Sequence, residues 1–401
     1  MWKNKNVWIL LLGEFIAGLG LWLGIIGNLE FMQAKVPSDF VKSLILASGI
    51  LAGLAVGPLA GRITDQVRKK TVMLIAGFFR SVSVLIMLIA IETNSVIWMI
   101  VFLVSIQISA AFYFPALQAA IPLIVKEKDL LQLNAIHMNV STLSRIAGTA
   151  IAGLFVVIMS LSTLYLLSLI AYLGLFIITW FLTINETVSK TTLSSETRKK
   201  GGFKEVFPII KGLPIVFMTL VMTLIPLLFI GGFNLIVINI SELQDSASIK
   251  GWIYATEGIA FMTGAFIVKR ISGKLSPYKI LFGFSFVIGI SQLMLYFAQI
   301  PWMTVLVFAI FGFSVGCFFP TASTIFQTRV PKEFHGRFFS FKNMLDRFIF
   351  QVVLLLTGSL LDLIGLQLMG ILLGILSIVM TSFFFSKFKQ YRKNRMLKEA
   401  S

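Results

Sequence analysis

Long apolar stretches separated by short polar segments follow one another along the whole chain. A helix of about 20 apolar residues crosses the roughly 30 Å hydrocarbon core of a bilayer. The pattern therefore predicts an all-α polytopic membrane protein with twelve transmembrane helices. The predicted spans are residues 7–30, 41–61, 71–92, 96–120, 132–159, 162–184, 213–240, 249–268, 278–299, 302–326, 338–361 and 366–386.

The longest polar stretch, residues 185–211, lies near the midpoint of the chain and is rich in Ser, Thr and Lys. It has no hydrophobic periodicity, which is typical of a linker. The sequence thus predicts two six-helix halves. They are an N-terminal bundle over residues 1–184 and a C-terminal bundle over 212–389, joined by a cytoplasmic linker over 185–211 and followed by a basic cytoplasmic tail over 390–401.

An internal repeat supports this division. Residues 113–129 align without a gap on residues 318–334, at an offset of 205, so that Phe114-Pro115 falls on Phe319-Pro320. Two parallel six-helix pseudo-repeats are typical of secondary transporters, whose substrate site lies near the membrane midplane between the repeats.

The basic residues give the predicted orientation. The chain is 57% hydrophobic and 13% charged, with a net charge of +17. Of its 34 Lys and Arg residues, 28 lie in segments that the twelve spans assign to one face. Basic residues concentrate on the cytoplasmic side, so we expect a multi-pass protein of the cell membrane with both termini in the cytoplasm. The charge is dispersed among short loops, which argues against a nucleic-acid partner.

Little in the sequence suggests a cofactor. The single cysteine, Cys317, cannot form an intramolecular disulfide, and the two histidines stand in no CxxC or HExxH pattern, so we expect no metal site. No GxxxxGK[ST] motif is present, and a proton gradient is the expected energy source. The expected partners are a small-molecule substrate and the lipid bilayer, with the chain acting as a monomer.

A ladder of small residues lies in the second predicted span. Gly49, Gly53, Gly57 and Gly61 recur every four residues, which places them on nearly one face of a helix. Helices in lipid pack closely through such strips. The ladder is interpreted either as static packing or as a surface along which one half slides against the other.

The end of the ladder, GRITDQVRKK (61–70), resembles the signature of the loop between spans 2 and 3 in the major facilitator superfamily. The resemblance implies the major facilitator fold, with a conformational latch formed by Gly61, Asp65, Arg68, Lys69 and Lys70. It implies that Asp65 accepts hydrogen bonds from the free N–H groups at the start of span 11, which would latch the outward-facing state. The alternative is a solvated surface carboxylate.

Further stretches resemble the macrolide-efflux and siderophore-exporter branch of that superfamily. They are IPLIVKEKDLLQLNA (121–135), IAGFFRSVSVL (75–85) and HGRFFS (335–340). SRIAGTAIAG (144–153) is similar to the antiporter motif of span 5, with Gly148 and Gly153 as its helix-packing positions.

Ionisable residues inside predicted spans are functional candidates because a charge in the bilayer is costly. The acids are Glu14, Glu257 and Asp346, and the bases are Arg80, Arg145 and Arg347. First spans line the cavity in the superfamily, and an acid in a partly dry site can bind and release a proton near neutral pH. Glu14 is therefore predicted to bind a proton or a cationic substrate, the alternative being a structural hydrogen bond to a neighbouring helix.

The other charges have predicted roles as well. The resemblance places span 8 beside span 5, so Glu257 could pair with Arg145. Asp346 and Arg347 are consecutive and point about 100° apart, and Asp346 is the better candidate for the cavity. Arg80 is expected to be structural and to reach toward the cytoplasmic face. The acids at outer span ends, Glu30, Glu92 and Asp362, are expected to lie in water.

Polar and aromatic residues complete the predicted cavity. A polar face in span 5 combines Arg145 with Asn134, Ser141 and either His137 or Met138, spaced three or four residues apart. Aromatic rings would suit a large apolar or cationic ligand, although most of the 38 Phe residues must face lipid or other helices. The cavity-lining candidates are Trp22, Tyr113, Phe114, Asn134, His137, Ser141, Phe318 and Asn343.

These features together predict a secondary active transporter rather than an enzyme. The favoured function is proton-coupled efflux of amphipathic drugs, macrolides or siderophore-like compounds by alternating access. The same fold could instead import a small solute as a proton symporter or uniporter. A polytopic membrane enzyme is a third alternative, but it would need a cluster of His, Cys or acidic residues at one membrane face, which the sequence does not suggest.

Overall fold

The computed structural model describes residues 2–125, 127–184, 210, 212–331 and 335–400, and these residues are almost entirely helical, with no strand among them. The predicted linker over 185–211 falls almost wholly outside the described residues. The helices are α1 (Lys5–Lys35), α2 (Asp39–Gln66), α3 (Lys69–Glu92), α4 (Val96–Ile124), α5 (Glu127–Ile158), α6 (Leu161–Trp180), α7 (Pro214–Met222), α8 (Leu224–Ile230), α9 (Phe233–Leu243), α10 (Ile249–Ser272), α11 (Pro277–Met294), α12 (Pro301–Arg329) and α13 (His335–Ala400).

The described residues contain 11 helical stretches that are long and apolar enough to cross a membrane. The last stretch, Phe341–Tyr391, has 51 residues and covers both of the final predicted spans. Gly365 divides it with φ 74° and ψ 171°, a backbone conformation that is essentially restricted to glycine. The prediction of an all-α fold with twelve spans is confirmed.

The first of two compact units comprises Met1–Thr192 and Asp245–Ala255. In this unit α1 packs on α5 and α6, α2 packs on α4, and α3 packs on α4 and α6. Glycines allow the close approaches: a Cβ added at Gly18 would lie 2.0 Å from the Ser144 Oγ, and one at Gly153 would lie 2.7 Å from the Gly251 Cα. The N-terminal end of α10 therefore meets α5 almost backbone to backbone.

The glycine ladder of α2 separates into two parts. A Cβ added at Gly49 would lie 3.2 Å from the Leu103 carbonyl oxygen, and one at Gly53 would lie 3.2 Å from the Gln107 carbonyl oxygen. At Gly57 and Gly61 an added Cβ would meet none of the described atoms within 4 Å. The first two glycines thus pack against α4 within the same unit, whereas the last two have no such neighbour in the described part of the chain.

The second unit comprises Leu193–Gln244 and Thr256–Ser401. Here α11 packs on α12 and α13, and the Ser377 hydroxyl of α13 donates a hydrogen bond of 2.6 Å to the Gln292 side-chain oxygen of α11. A Cβ added at Gly312 of α12 would lie 2.4 Å from the Glu257 carbonyl oxygen. Helices α10 and α12 are therefore in close backbone contact.

Candidate substrate and proton site

Glu14 lies inside the first unit, beside a histidine of another helix. Its side chain projects from α1, it is only 9% exposed, and its Oε2 lies 3.8 Å from the Nε2 of His137 on α5. That distance permits electrostatic attraction but is too long for a hydrogen bond. The His137 Nε2 atom is buried and has no hydrogen-bond partner among the described residues. The structure therefore brings two ionisable side chains of different helices together inside one bundle.

Glycines set this distance. Helix α1 can approach α5 closely because Gly18 faces Ser144, and because an added Cβ at Gly148 would lie 2.9 Å from the Trp22 Cβ. Gly18 lies about one helical turn from Glu14, and Ser144 lies about two turns from His137. The small residues thus bring two ionisable side chains from distant parts of the sequence together.

Arg80 of α3 is surrounded by aromatic rings of α4 and α6. Its Cζ lies 5.3 Å from the centroid of the Tyr113 ring, 5.7 Å from that of Phe114 and 5.2 Å from that of Tyr172. These separations are within the range of cation–π contacts. The residue is 4% exposed, so the expectation that it reaches toward the cytoplasmic face is wrong. The rings of two neighbouring helices enclose it instead.

Tyr113 connects the two groups. It is buried in α4, and both Glu14 and Arg80 lie close enough to interact with it electrostatically. We name Glu14, Arg80, Tyr113, His137 and Tyr172 the N-terminal polar cluster. It places one acid, one histidine and one arginine inside a single helical bundle, where each charge is shielded from water.

The other candidates of the first unit lie around this cluster. The Trp22 ring lies 5.5 Å from the Tyr254 ring, between centroids. Phe114 and Ser141 are exposed, and Arg145 is half-buried. The side chain of Asn134 lies outside the described part of the chain.

The predicted latch is described only in part, because the side chain of Asp65 is outside the described residues. Lys70 donates a hydrogen bond of 2.7 Å from its Nζ to the Trp180 carbonyl oxygen at the end of α6. Arg68 is exposed and Lys69 is half-buried. The role of the latch remains a prediction.

In the second unit, Asp346 forms an ion pair with Lys342 one helical turn earlier on α13. Sequence reasoning missed this partner because Lys342 lies near the start of span 11, among basic residues that indicate orientation rather than a site. Asn343 and Arg347 are exposed, whereas Phe318 is buried against Phe319. Glu257 is buried in α10.

An ion pair also occurs at the predicted outer end of the first unit. The Nζ of Lys250 lies 2.6 Å from the Oε2 of Glu30, and the Lys250 side chain is fully buried. Glu30 was expected to lie in water; its side chain is 27% exposed but also pairs with a buried lysine. Sequence reasoning could not find this contact, since 220 residues separate the two partners.

Metal binding finds no support in the described residues, which contain no group of three or more His, Cys, Asp or Glu side chains able to hold an ion. The twelve apolar spans and the buried ionisable cluster define a polytopic helical protein with the architecture of a secondary transporter. The model of the Major Facilitator Superfamily matches residues 10–344 and, in a second match, residues 227–400. The chain belongs to this superfamily, a family of transporters rather than enzymes.

Individual relatives are distant. The chain is 24% identical over 349 residues to the uncharacterized MFS-type transporter YfiS of Bacillus subtilis, covering 84% of this chain and 82% of YfiS. It is 27% identical over 157 residues to the macrolide efflux protein A of Streptococcus pyogenes, covering 38% of each chain. A crystal structure of a variant of the nucleoside transporter NupG is similar in fold, with a TM-score of 0.78 and 11% identity over 96% of this chain and 100% of that one.

Proposed function

We propose that this transporter exports amphipathic compounds in exchange for protons and that Glu14 is the proton-binding residue. The observation that carries the proposal is the buried Glu14–His137 contact of 3.8 Å. A carboxylate in this position can be neutralised by a proton or by a cationic group of the substrate, but not by both at once. Competition between proton and substrate is the requirement for exchange.

The exchange would proceed by alternating access. Proton uptake by Glu14 from the outer side would release the substrate. Loss of the proton to the cytoplasm would restore the carboxylate, which could then bind the next substrate. A rocking motion of the two halves would open the site to one side of the membrane at a time. The loop around Asp65 would latch the outward-facing state.

Efflux is supported by two kinds of similarity. Residues 121–135 and 144–153 resemble the corresponding segments of exporters, and a partial relative is a macrolide efflux protein. The basic segments support a location in the cell membrane with both termini in the cytoplasm. In that orientation, a substrate would enter from the cytoplasm and leave at the outer face.

Uptake of labelled erythromycin into inverted membrane vesicles tests this function. An imposed proton gradient should drive accumulation in wild-type vesicles, and a protonophore should abolish it. Glu14→Gln should reduce gradient-driven uptake at least about tenfold, equivalent to about 1.4 kcal/mol, because the amide cannot exchange a proton. Glu92→Gln is the matched control, since Glu92 is exposed at the end of α3, and should transport like wild type.

Two results would contradict the proposal. Accumulation that does not depend on the gradient would remove proton coupling. Gradient-driven uptake into right-side-out vesicles, with none into inverted vesicles, would show that the protein is an importer.

A further inference from the structure

The Arg80 guanidinium is a buried cation that has no carboxylate partner among the described residues. Its Nε atom has no hydrogen-bond partner among the described residues. Glu14, the acid of the same cluster, contacts His137 instead, and none of the salt bridges found among the described side chains includes Arg80. A buried ion that is not compensated costs several kcal/mol. This position is therefore poised to receive an anion.

The three rings around Arg80 leave its hydrogen-bond donors available. Cation–π contacts act through the ring faces and contribute roughly 0.5–2 kcal/mol each. The N–H groups of a guanidinium point outward in its own plane, in a fork that matches the two oxygens of a carboxylate. The rings thus hold the guanidinium in place without accepting hydrogen bonds from its N–H groups.

Phe114 provides an accessible side to this site. Its ring centroid lies 5.7 Å from the Arg80 Cζ, and the residue is 43% exposed. An aromatic group attached to the bound carboxylate could stack on this ring. The site would therefore recognise an aromatic ring and an acid that are close together in one molecule.

We infer that Arg80 binds the carboxylate of aromatic substrates, and that Phe114 binds their ring. This inference rests on the exporter function proposed above and adds aromatic zwitterions to its substrates, because a purely anionic acid has no cationic group to compete with the proton at Glu14. Arg80 would hold the negative group of the substrate, while Glu14 exchanges the proton. An ester of the same molecule has no carboxylate charge and would lose the contact with Arg80.

Rhodamine 110 and its methyl ester, rhodamine 123, differ at this carboxylate and provide the test. Fluorescence anisotropy with the purified full-length protein would give the Kd of each dye. We expect wild type to bind the acid at least about tenfold more tightly, as a charge-assisted hydrogen bond contributes about 1.5–3 kcal/mol. Arg80→Gln should abolish this preference, and Arg80→Lys should retain part of it.

Arg329→Gln is the matched control. Arg329 also lies over a tyrosine ring, 5.8 Å from the Tyr278 centroid, but it is exposed and donates a hydrogen bond to the Tyr278 hydroxyl. This variant should keep the preference for the acid. The comparison of the two dyes on wild type requires no substitution, so misfolding of a variant does not affect it.

Three outcomes would overturn the inference: equal binding of acid and ester by wild type, a preference that survives in Arg80→Gln, or no binding of either dye. Gradient-driven transport of rhodamine 123 in proteoliposomes tests the exporter function separately. Proton-coupled transport of the ester without a preference for the acid would leave the exporter function standing and remove only the role of Arg80.

Discussion

At the scale of single residues, the first unit contains ionisable side chains whose partners come from other helices. Glu14 meets His137, and Lys250 meets Glu30. Arg80 meets three aromatic rings rather than an acid. Placing a charge in a bilayer is costly. Each of the two acid–base contacts reduces this cost because it places opposite charges of two helices next to each other. The charge of Arg80, which meets no acid among the described residues, is the one that we assign to the substrate.

The Glu30–Lys250 pair leads to a stability prediction. Lys250→Met should lower the free energy of unfolding by about 1–3 kcal/mol, less than the 3–5 kcal/mol for a fully buried pair, because the Glu30 side chain is 27% exposed. The double variant Glu30→Gln with Lys250→Met should recover part of the loss, since no charge remains without its partner. Thermal unfolding of the purified protein measures both effects.

The control for this pair is Lys35→Met, which removes an exposed lysine at the end of α1. It should unfold like wild type. The double variant could instead lose as much free energy of unfolding as the sum of the losses of Lys250→Met and Glu30→Gln. In that case the two residues are not coupled, and their pair does not stabilise the protein.

At the scale of helices, close packing uses glycine in both units. In the first unit, Gly49 and Gly53 of α2 approach the backbone of α4. In the second unit, both helices of the corresponding pair supply glycines: an added Cβ at Gly264 of α10 would lie 2.2 Å from the Phe313 carbonyl oxygen of α12, and one at Gly316 of α12 would lie 2.2 Å from the Phe261 carbonyl oxygen of α10. The same helix pair is therefore tightly packed in both repeats.

The contact between Gly18 and Ser144 predicts a specific rescue. An added Cβ at Gly18 would lie 2.0 Å from the Ser144 Oγ and 2.7 Å from its Cβ. Gly18→Ala should therefore destabilise the protein by about 1–3 kcal/mol, as overpacking does, and should reduce transport by displacing Glu14 from His137. Ser144→Gly in the same chain removes both atoms and should restore stability and transport.

Gly57→Ala is the matched substitution, since none of the described atoms lies within 4 Å of the added Cβ. It should leave the melting temperature unchanged or raise it slightly, because alanine favours the helix. If Gly18→Ala and Gly57→Ala change the melting temperature equally, the close approach of α1 to α5 does not depend on the absence of a side chain at Gly18.

At the scale of the whole molecule, the apolar pattern was enough to predict twelve spans, because every span must satisfy its backbone within a helix of bilayer length. The superfamily was predicted from the resemblance of residues 61–70 to its loop signature. The partners inside the bundle could not be predicted. Glu14 and His137 are more than 120 residues apart, and their contact depends on glycines of two helices. The rings around Arg80 come from α4 and α6, and helical periodicity within α3 contains no information about them.

The release of protons on substrate binding tests the central claim most directly. Purified protein in weakly buffered detergent solution, held between about pH 5 and 8 where histidine also titrates, is mixed with rhodamine 110 while a pH-sensitive dye records the proton concentration. If substrate and proton compete at Glu14, wild type releases protons and Glu14→Gln releases none while still binding the dye. Equal release from both proteins, or binding to wild type without release, would contradict this account.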